Sequence, residues 1–358
     1  MWNDRRILDL LSIELPIIQA PMAGANLSAM VIAVSEAGGL GSLPCALLSH
    51  DKARDELATI RRHTAKPINV NFFCHQAPEF DAEREAAWKQ RLKGYYLEFG
   101  LDPDAPTPPS TRAPFDESYL SLVEEFRPEV VSFHFGLPQQ DLLKRVKDTG
   151  AKVLSSATSV AEARWLEDRG CDAIIAQGFE AGGHRGIFLT DDISTQVGTM
   201  ALVPQVVDAV KVPVIAAGGI ADARGIVAAL ALGASAVQIG TAFLFTPEAT
   251  IAPLHRQALK SAQNDQTALT NIFTGRPARG IVNRVMREVG PISPLAPQFP
   301  LAGGALAPLR QKSEPLGSGD FMSLWSGQAA RLARELPAGE LTRTLAQETL
   351  DRLGLRSA

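Results

Sequence analysis

The sequence predicts a TIM-type (β/α)8 barrel. Eight short apolar runs of strand length alternate with helical segments, and the residues suited to chemistry fall at or just past the C-terminal ends of those runs. An open doubly wound sheet is the other common closure for such alternation, and the count of eight favours the barrel. Loops that follow the strands of a barrel gather at one face, so the marked residues are expected to converge there.

The first strand is expected at 15–19 and closes on Ala20-Pro21-Met22-Ala23-Gly24, after which Asn26 or Ser28 is expected to cap a helix running to Ala37. Gly38 and Gly39 stop that helix. A second strand follows at 40–43, then a helix over 51–64 that Lys66-Pro67 ends. The third strand, 68–72, carries Asn69 and Asn71. Asn is a poor strand residue whose buried amide needs partners, so at least one of the two is expected to face something polar beyond the strand; the alternative is that both tie down neighbouring backbone. Residues 74–114 break the rhythm as an insertion, a charged helical stretch near 81–97 followed by LDPDAPTPPSTRAP.

The rhythm resumes with a helix over 115–126 and a fourth strand, 130–133, that runs straight into His134. Helices over 138–149 and 160–169 flank the fifth strand, 153–156. The sixth strand, 173–177, ends on Gln177 and hands the chain to GFEAGGHRG, where Gly178, Gly182, Gly183 and Gly186 bare the backbone and Glu180, His184 and Arg185 supply polar side chains. The seventh, 214–217, runs into Gly218-Gly219, and the eighth, 236–239, into Gly240-Thr241. A last barrel helix is expected after Pro247 and up to about Gln263. Beyond it, Pro291, Pro294, Pro297, Pro300, Pro308 and Pro315 predict an extended cover over 291–319, with closing helices over 321–336 and 339–353. The expected division is a barrel at 1–263, with its insertion, and a C-terminal cover at 264–358.

At 358 residues, 46% hydrophobic and 21% charged, the chain can bury the core of a large barrel. Its net charge of -4 and the absence of any Lys/Arg block argue against nucleic-acid and anionic-membrane partners. No apolar run approaches the roughly 20 residues that span a bilayer, and MWNDRRILDL lacks an apolar signal core, so a cytoplasmic protein is expected. Cys45, Cys74 and Cys171 are scattered and read as reduced structural thiols, and no His/Cys/Asp/Glu group has metal-ligand spacing. The sequence sets no oligomeric state; a homodimer is one arrangement it admits.

Gly218-Gly219 and Gly240-Thr241 end adjacent strands in the two loops where such barrels bind phosphate. Asn71 and Gln177 bring amides that donate and accept, which suits the edge of a heteroaromatic ring better than a metal. A cofactor with a phosphate tail and a polar ring is implied. His134, between two phenylalanines in VSFHFGLP, is expected to be desolvated and neutral, and is the candidate catalytic base. His184 is a substrate or cofactor contact on a glycine-rich loop. His50, His63, His75 and His255 read as surface groups. Arg276, Arg279, Arg284 and Arg287 could meet an anion, although intramolecular or solvent-facing arginines are commoner.

QAPMAG, AGGLGSL, VSFHFGLP, AQGFEAGGHRG, AAGGI and QIGTAFL, in this order, resemble the nitronate monooxygenase family, once called 2-nitropropane dioxygenases. The resemblance covers roughly residues 16–287. It implies non-covalent FMN, with Ala20, Pro21 and Met22 lining the flavin ring and Asn71 and Gln177 bonding it. Gly182, Gly183, Gly218, Gly219, Gly240 and Thr241 would hold ribityl and phosphate, His134 would be the active-site histidine, and His184 would lie beside it. The implied reaction is oxidation of an alkyl nitronate, or of a nitroalkane, by O2 to a carbonyl compound and nitrite. LAPQFPLAGGALAPLR departs from the family pattern of tyrosines and a lysine near the substrate, which bears on substrate identity and leaves the flavin expectation unchanged. Two rivals are an NAD(P)H-dependent flavin reductase of quinones or enoyl thioesters on the same barrel, and a flavin-free sugar-phosphate lyase or isomerase.

Overall fold

The computed structural model describes residues 2–110, 112–261 and 266–355. The first half of the chain forms α1 (Arg6–Leu11), β1 (Ile17–Gln19), α2 (Ser28–Glu36), β2 (Gly41–Pro44), α3 (His50–His63), β3 (Ile68–Phe73), α4 (Ala82–Glu98), α5 (Glu117–Phe126), β4 (Val130–His134), α6 (Gln140–Asp148), β5 (Lys152–Ala157) and α7 (Val160–Asp168). The second forms β6 (Ala173–Gln177), β7 (Gly183–His184), α8 (Thr199–Ala209), β8 (Val214–Ala217), α9 (Ala223–Ala231), β9 (Ala236–Ile239), α10 (Pro253–Ser261), β10 (Thr267–Thr270), β11 (Ala278–Ile281), α11 (Arg284–Val289), α12 (Gly303–Ser313) and α13 (Ala338–Arg352).

Eight parallel strands lie in the order β1-β9-β8-β6-β5-β4-β3-β2. The ring closes where Ile18 bridges Leu40: the Leu40 N–H donates to Ile17 O at 3.0 Å and the Gln19 N–H to Leu40 O at 2.9 Å. The predicted barrel is the fold, and each of its strands overlaps a predicted run. Strands covered by helices on one side and packed against the barrel interior on the other must be apolar on both faces, and β1, β3 and β6 are buried throughout.

Three expectations are corrected. Neither Asn26 nor Ser28 caps α2, whose N-cap position is Leu27 and whose Ser28 N–H donates to the Glu56 carboxylate at 2.9 Å; Asn26 instead accepts from the Met22 N–H at 3.0 Å and donates to Ser42 O at 2.9 Å. The cover over 291–319 is not extended throughout, because α12 runs from Gly303 to Ser313 with Pro308 inside it. Its carbonyls Ala302 O and Ala305 O accept from Trp88 Nε1 at 3.1 Å and the Tyr96 hydroxyl at 2.6 Å, so packing against α4 outweighs the proline. Residues 321–336 form no α-helix among the described residues. They run as a strap whose backbone pairs with β11, the Ile281 N–H donating to Leu324 O at 2.8 Å and the Ser326 N–H to Arg279 O at 3.3 Å, and such a ladder excludes a helix. The helix expected after Pro247 is α10, which packs on the 3-10 turns Thr241–Phe245 and Ala330–Leu332; its expected end at Gln263 lies outside the described residues.

The outer-ring place between α9 and α2 is filled by α13, from the far end of the chain. The insertion and the C-terminal segment also share a core of their own, in which Trp88, Leu92, Tyr95 and Tyr96 of α4 meet Leu306 and Leu309 of α12 and Phe321. A three-stranded antiparallel sheet, β10-β11-β7, was not foreseen. It pins Gly183 and His184 to the C-terminal segment, so the glycine-rich loop is held as a strand.

Candidate active site

A cavity of about 590 Å³ opens at the C-terminal ends of the barrel strands. All thirteen residues expected to act in catalysis or to hold the cofactor line it: Ala20, Pro21, Met22, Asn71, His134, Gln177, Gly182, Gly183, His184, Gly218, Gly219, Gly240 and Thr241.

Local bonding explains their placement. Ser42 N–H donates to Gln19 Oε1 at 2.9 Å, and Gln19 with Asn26 clasps the turn that presents Ala20, Pro21 and Met22. Asn71 donates from Nδ2 to Ser132 O at 3.1 Å and Ser132 Oγ at 2.9 Å, which leaves Oδ1 for a ligand. Asn69 instead points to Ser42 Oγ and does not line the cavity. Gln177 bridges the loop, donating from Nε2 to His184 O at 2.9 Å and accepting at Oε1 from the Gly186 N–H at 2.7 Å. The loop's ends are tied by two carboxylates. Glu180 accepts from the Thr199 N–H and hydroxyl, and Glu162 from the Phe188 N–H and from both Thr158 donors.

The glycines divide into two kinds. At Gly178 a Cβ would collide with Thr199, and at Gly182 with the strap at Ser326 and Gly327, so these two permit close packing. A Cβ on Gly183 would meet nothing within 4 Å, and one on Gly240 nothing nearer than Ala20 Cβ at 3.5 Å, so these leave cavity volume open. Gly218 and Gly219, at φ 111 and 71, adopt backbone that a side chain disfavours. Thr241 Oγ1 accepts from the Gly327 N–H at 2.9 Å, which brings the strap against the predicted phosphate end.

His134 and His184 differ in what remains free. His134 Nε2 bonds His184 O at 3.2 Å; a carbonyl only accepts, so Nε2 carries the proton and Nδ1 accepts from Ser156 Oγ at 3.1 Å. Both its nitrogens are engaged. His184 Nε2 lies 3.0 Å from Thr274 Oγ1, whose hydroxyl donates to Arg276 O at 3.3 Å. His184 Nε2 therefore also carries the proton, and Nδ1 is left as the lone pair with no protein partner among the described residues. Burial pushes His134 down to about 3, with Arg276 and Arg185 adding to the effect, and holds His184 well below the ordinary imidazole range. The turn after His134 is strained: Phe135 sits at φ 70, a conformation costing about 1–3 kcal/mol for a non-glycine residue. Phe135 packs on His134 at 4.5 Å between ring centroids and under the Arg276 guanidinium at 4.2 Å.

The four flagged arginines do not line the cavity. Arg284 pairs with Glu98 and Glu288, Arg287 donates to Val282 O, Arg276 stacks on Phe135, and Arg279 stacks on Phe179. Two histidines read as surface groups are buried instead. His75 packs edge-on to Phe299 at 4.8 Å, and His255, on the cavity wall, bonds Trp325 O at 2.9 Å.

Gln238, Arg112 and Trp325 are among the wall residues that were not singled out. Gln238 was detectable, since a lone amide in the apolar run AVQI is the same signal as Gln177 or Asn71. Its Oε1 is buried with no partner, an acceptor that awaits a donor from whatever fills the cavity.

An eight-stranded barrel with a deep cavity at the strand ends, glycine-bared on one side and histidine-lined on the other, has the architecture in which barrel enzymes carry their active sites. The nitronate monooxygenase family model matches residues 4–348. The nitronate monooxygenase of Pseudomonas aeruginosa is 44% identical over 96% of this chain and 98% of its own length, and that of Paraburkholderia phytofirmans 42% identical over 96% and 94%. A nitroalkane oxidase structure from Streptomyces ansochromogenes superposes with a TM-score of 0.88 at 39% identity, covering 98% of this chain and 100% of that one. The chain belongs to the nitronate monooxygenase family, which is flavin-dependent in general. The residues present fit a flavin: the orphaned Gln238 Oε1 and the free Asn71 Oδ1 suit ring-edge donors, and the open glycines leave room for a phosphorylated chain.

This fit predicts opposite signs at Gln238. Gln238→Met removes a buried unsatisfied acceptor, which costs about 1–3 kcal/mol, so the flavin-free protein should melt at or above the wild-type temperature. Flavin affinity should fall at least about tenfold, the worth of one good hydrogen bond. Thermal melts of the apoprotein and flavin titration check the two halves.

Proposed function

We propose that this protein oxidises alkyl nitronates, with O2 as final acceptor, through FMN held in the strand-end cavity, and releases a carbonyl compound and nitrite. The observation that supports it best is the wall: no Asp or Glu is among the lining residues, whereas Arg112 and Arg310 are, beside histidines that burial keeps neutral. Such a chamber favours an anion and repels nothing that carries negative charge.

Gly218, Gly219, Gly240 and Thr241 would receive the FMN phosphate, and Asn71, Gln177 and Gln238 the ring edges, with Ala20, Pro21 and Met22 along one face. Bound there, FMN would supply the electron transfer and oxygen chemistry that no side chain can. Phe73 and Trp325 close the histidine side of the chamber and exclude water.

Hydrogen-bond geometry supports His184 rather than His134 as the base. A neutral nitroalkane must lose a carbon-bound proton, and His184 Nδ1 is the available acceptor; His134, through His184 O, orients the strand that carries it. A preformed nitronate needs no such step. Aerobic turnover of a nitronate should therefore yield nitrite, and heat should release FMN from the yellow protein. A preparation that binds no FMN, or holds it and forms no nitrite, would sink the reading.

A further inference from the structure

Arg112 stands at the end of the insertion, three residues before the Phe115 N–H returns the chain to Phe73 O at 2.7 Å. That bond joins the insertion to the strand end beside the histidines, and Arg112 lines the cavity there together with Phe73, His134 and His184. Its charge acts on both His184 and His75, which places the guanidinium on the histidine side, across from the glycines. Among the described residues no carboxylate pairs with it, and burial, with no opposing carboxylate, holds its guanidinium below the ordinary range. Arg310, the other cation on the wall, is paired with Glu314 at 3.4 Å.

A half-buried guanidinium without a counterion, facing a chamber free of carboxylates, is a poor structural device, because it pays desolvation and recovers no Coulomb attraction inside the protein. It becomes favourable when an anion enters. We propose that Arg112 is the substrate-recognition cation, its guanidinium fork receiving the two oxygens of the nitronate group while the carbon end lies against Phe73 and toward His184. This rests on the reading that the substrate is a nitronate. A nitronate is planar with two oxygens on one nitrogen, which matches the fork as a carboxylate does. The same contact answers a difficulty at His184. An imidazole held far below its usual range is a weak base, and a cation on the nitro oxygens stabilises the anion that proton loss creates, lowering the demand on the base.

The test compares wild type with Arg112→Gln and Arg112→Lys in the flavin-loaded enzyme. Nitrate, planar and anionic but inert to oxidation here, serves as the binding probe, read from the change it makes in the visible flavin spectrum. Arg112→Gln should weaken nitrate binding and raise KM for a nitronate by about 10- to 100-fold, the worth of a charge-assisted hydrogen bond. Arg112→Lys should recover part of both, flavin content should stay at the wild-type level, and KM for the neutral nitroalkane should change little. Unchanged nitrate affinity in Arg112→Gln would overturn the proposal. So would loss of flavin, which would assign the cation to the cofactor, and so would an equal rise in KM for neutral and anionic substrates. If the wild type failed to turn over nitronates yet bound nitrate through Arg112, the reaction would be misread and the anion site upheld.

Discussion

Gly240→Val is expected to give a folded protein that purifies without flavin. Gly240 has a negative φ, -108 with ψ -79, so a side chain brings no left-handed strain there, and the nearest protein atom to a new Cβ is 3.5 Å away. The added isopropyl group would thus point into the cavity and fill the volume proposed for the phosphate end. Gly219→Val makes an instructive contrast. At φ 71 a β-branched residue is strained by about 1–3 kcal/mol, so that variant should lose flavin and also melt lower. The ratio of visible to ultraviolet absorbance reports the flavin, and a circular dichroism melt of each apoprotein reports the fold. Wild-type flavin affinity in Gly240→Val would mean that the phosphate end has been placed wrongly.

The second large effect is expected at the histidines. His184→Asn should lower kcat/KM for a neutral nitroalkane by about 10²–10⁴, the usual worth of general-base catalysis, while a preformed nitronate loses far less because its proton has already gone. His134→Asn should behave otherwise. Its ring nitrogens hold Ser156 and the His184 carbonyl, so both substrate forms should suffer alike and by less. Steady-state kinetics on the two forms separates the roles. A selective loss on the neutral form in His134→Asn, with none in His184→Asn, would restore the base to His134.

The barrel was legible because its evidence is local. Short apolar runs, the helices between them and the glycines at their ends each lie within a few residues, and the closure of eight parallel strands follows from their number. The converging wall was legible for the same reason, since strand ends meet at one face whatever the loops do. What escaped notice depends on distant partners. The amphipathic pattern of 321–336 suggested a helix, and pairing with β11 overrode it. Pro308 suggested extended chain, and the packing of α4 on α12 overrode that. Arg112 lies in the proline-rich end of the insertion, and nothing near it in sequence shows that Phe115 anchors to Phe73. The proposed exchange of roles between His134 and His184 turns on Thr274, ninety residues beyond His184, whose hydroxyl fixes the tautomer.

The central claim, that the cavity serves nitronate oxidation, is tested most directly by mixing the flavin-loaded protein anaerobically in a stopped-flow spectrophotometer, once with a nitronate and once with NADH or NADPH. A nitronate needs only a compact chamber with an anion contact, whereas a nicotinamide must stack its bulk on the ring beneath the strap at Trp325–Gly327. The account predicts that the nitronate perturbs or bleaches the visible flavin absorbance within the mixing time, that both nicotinamides leave it nearly unchanged over minutes, and that admitting oxygen yields nitrite. Rapid bleaching by NADH, with no response to the nitronate and no nitrite, would contradict it and assign the same barrel to a reductase.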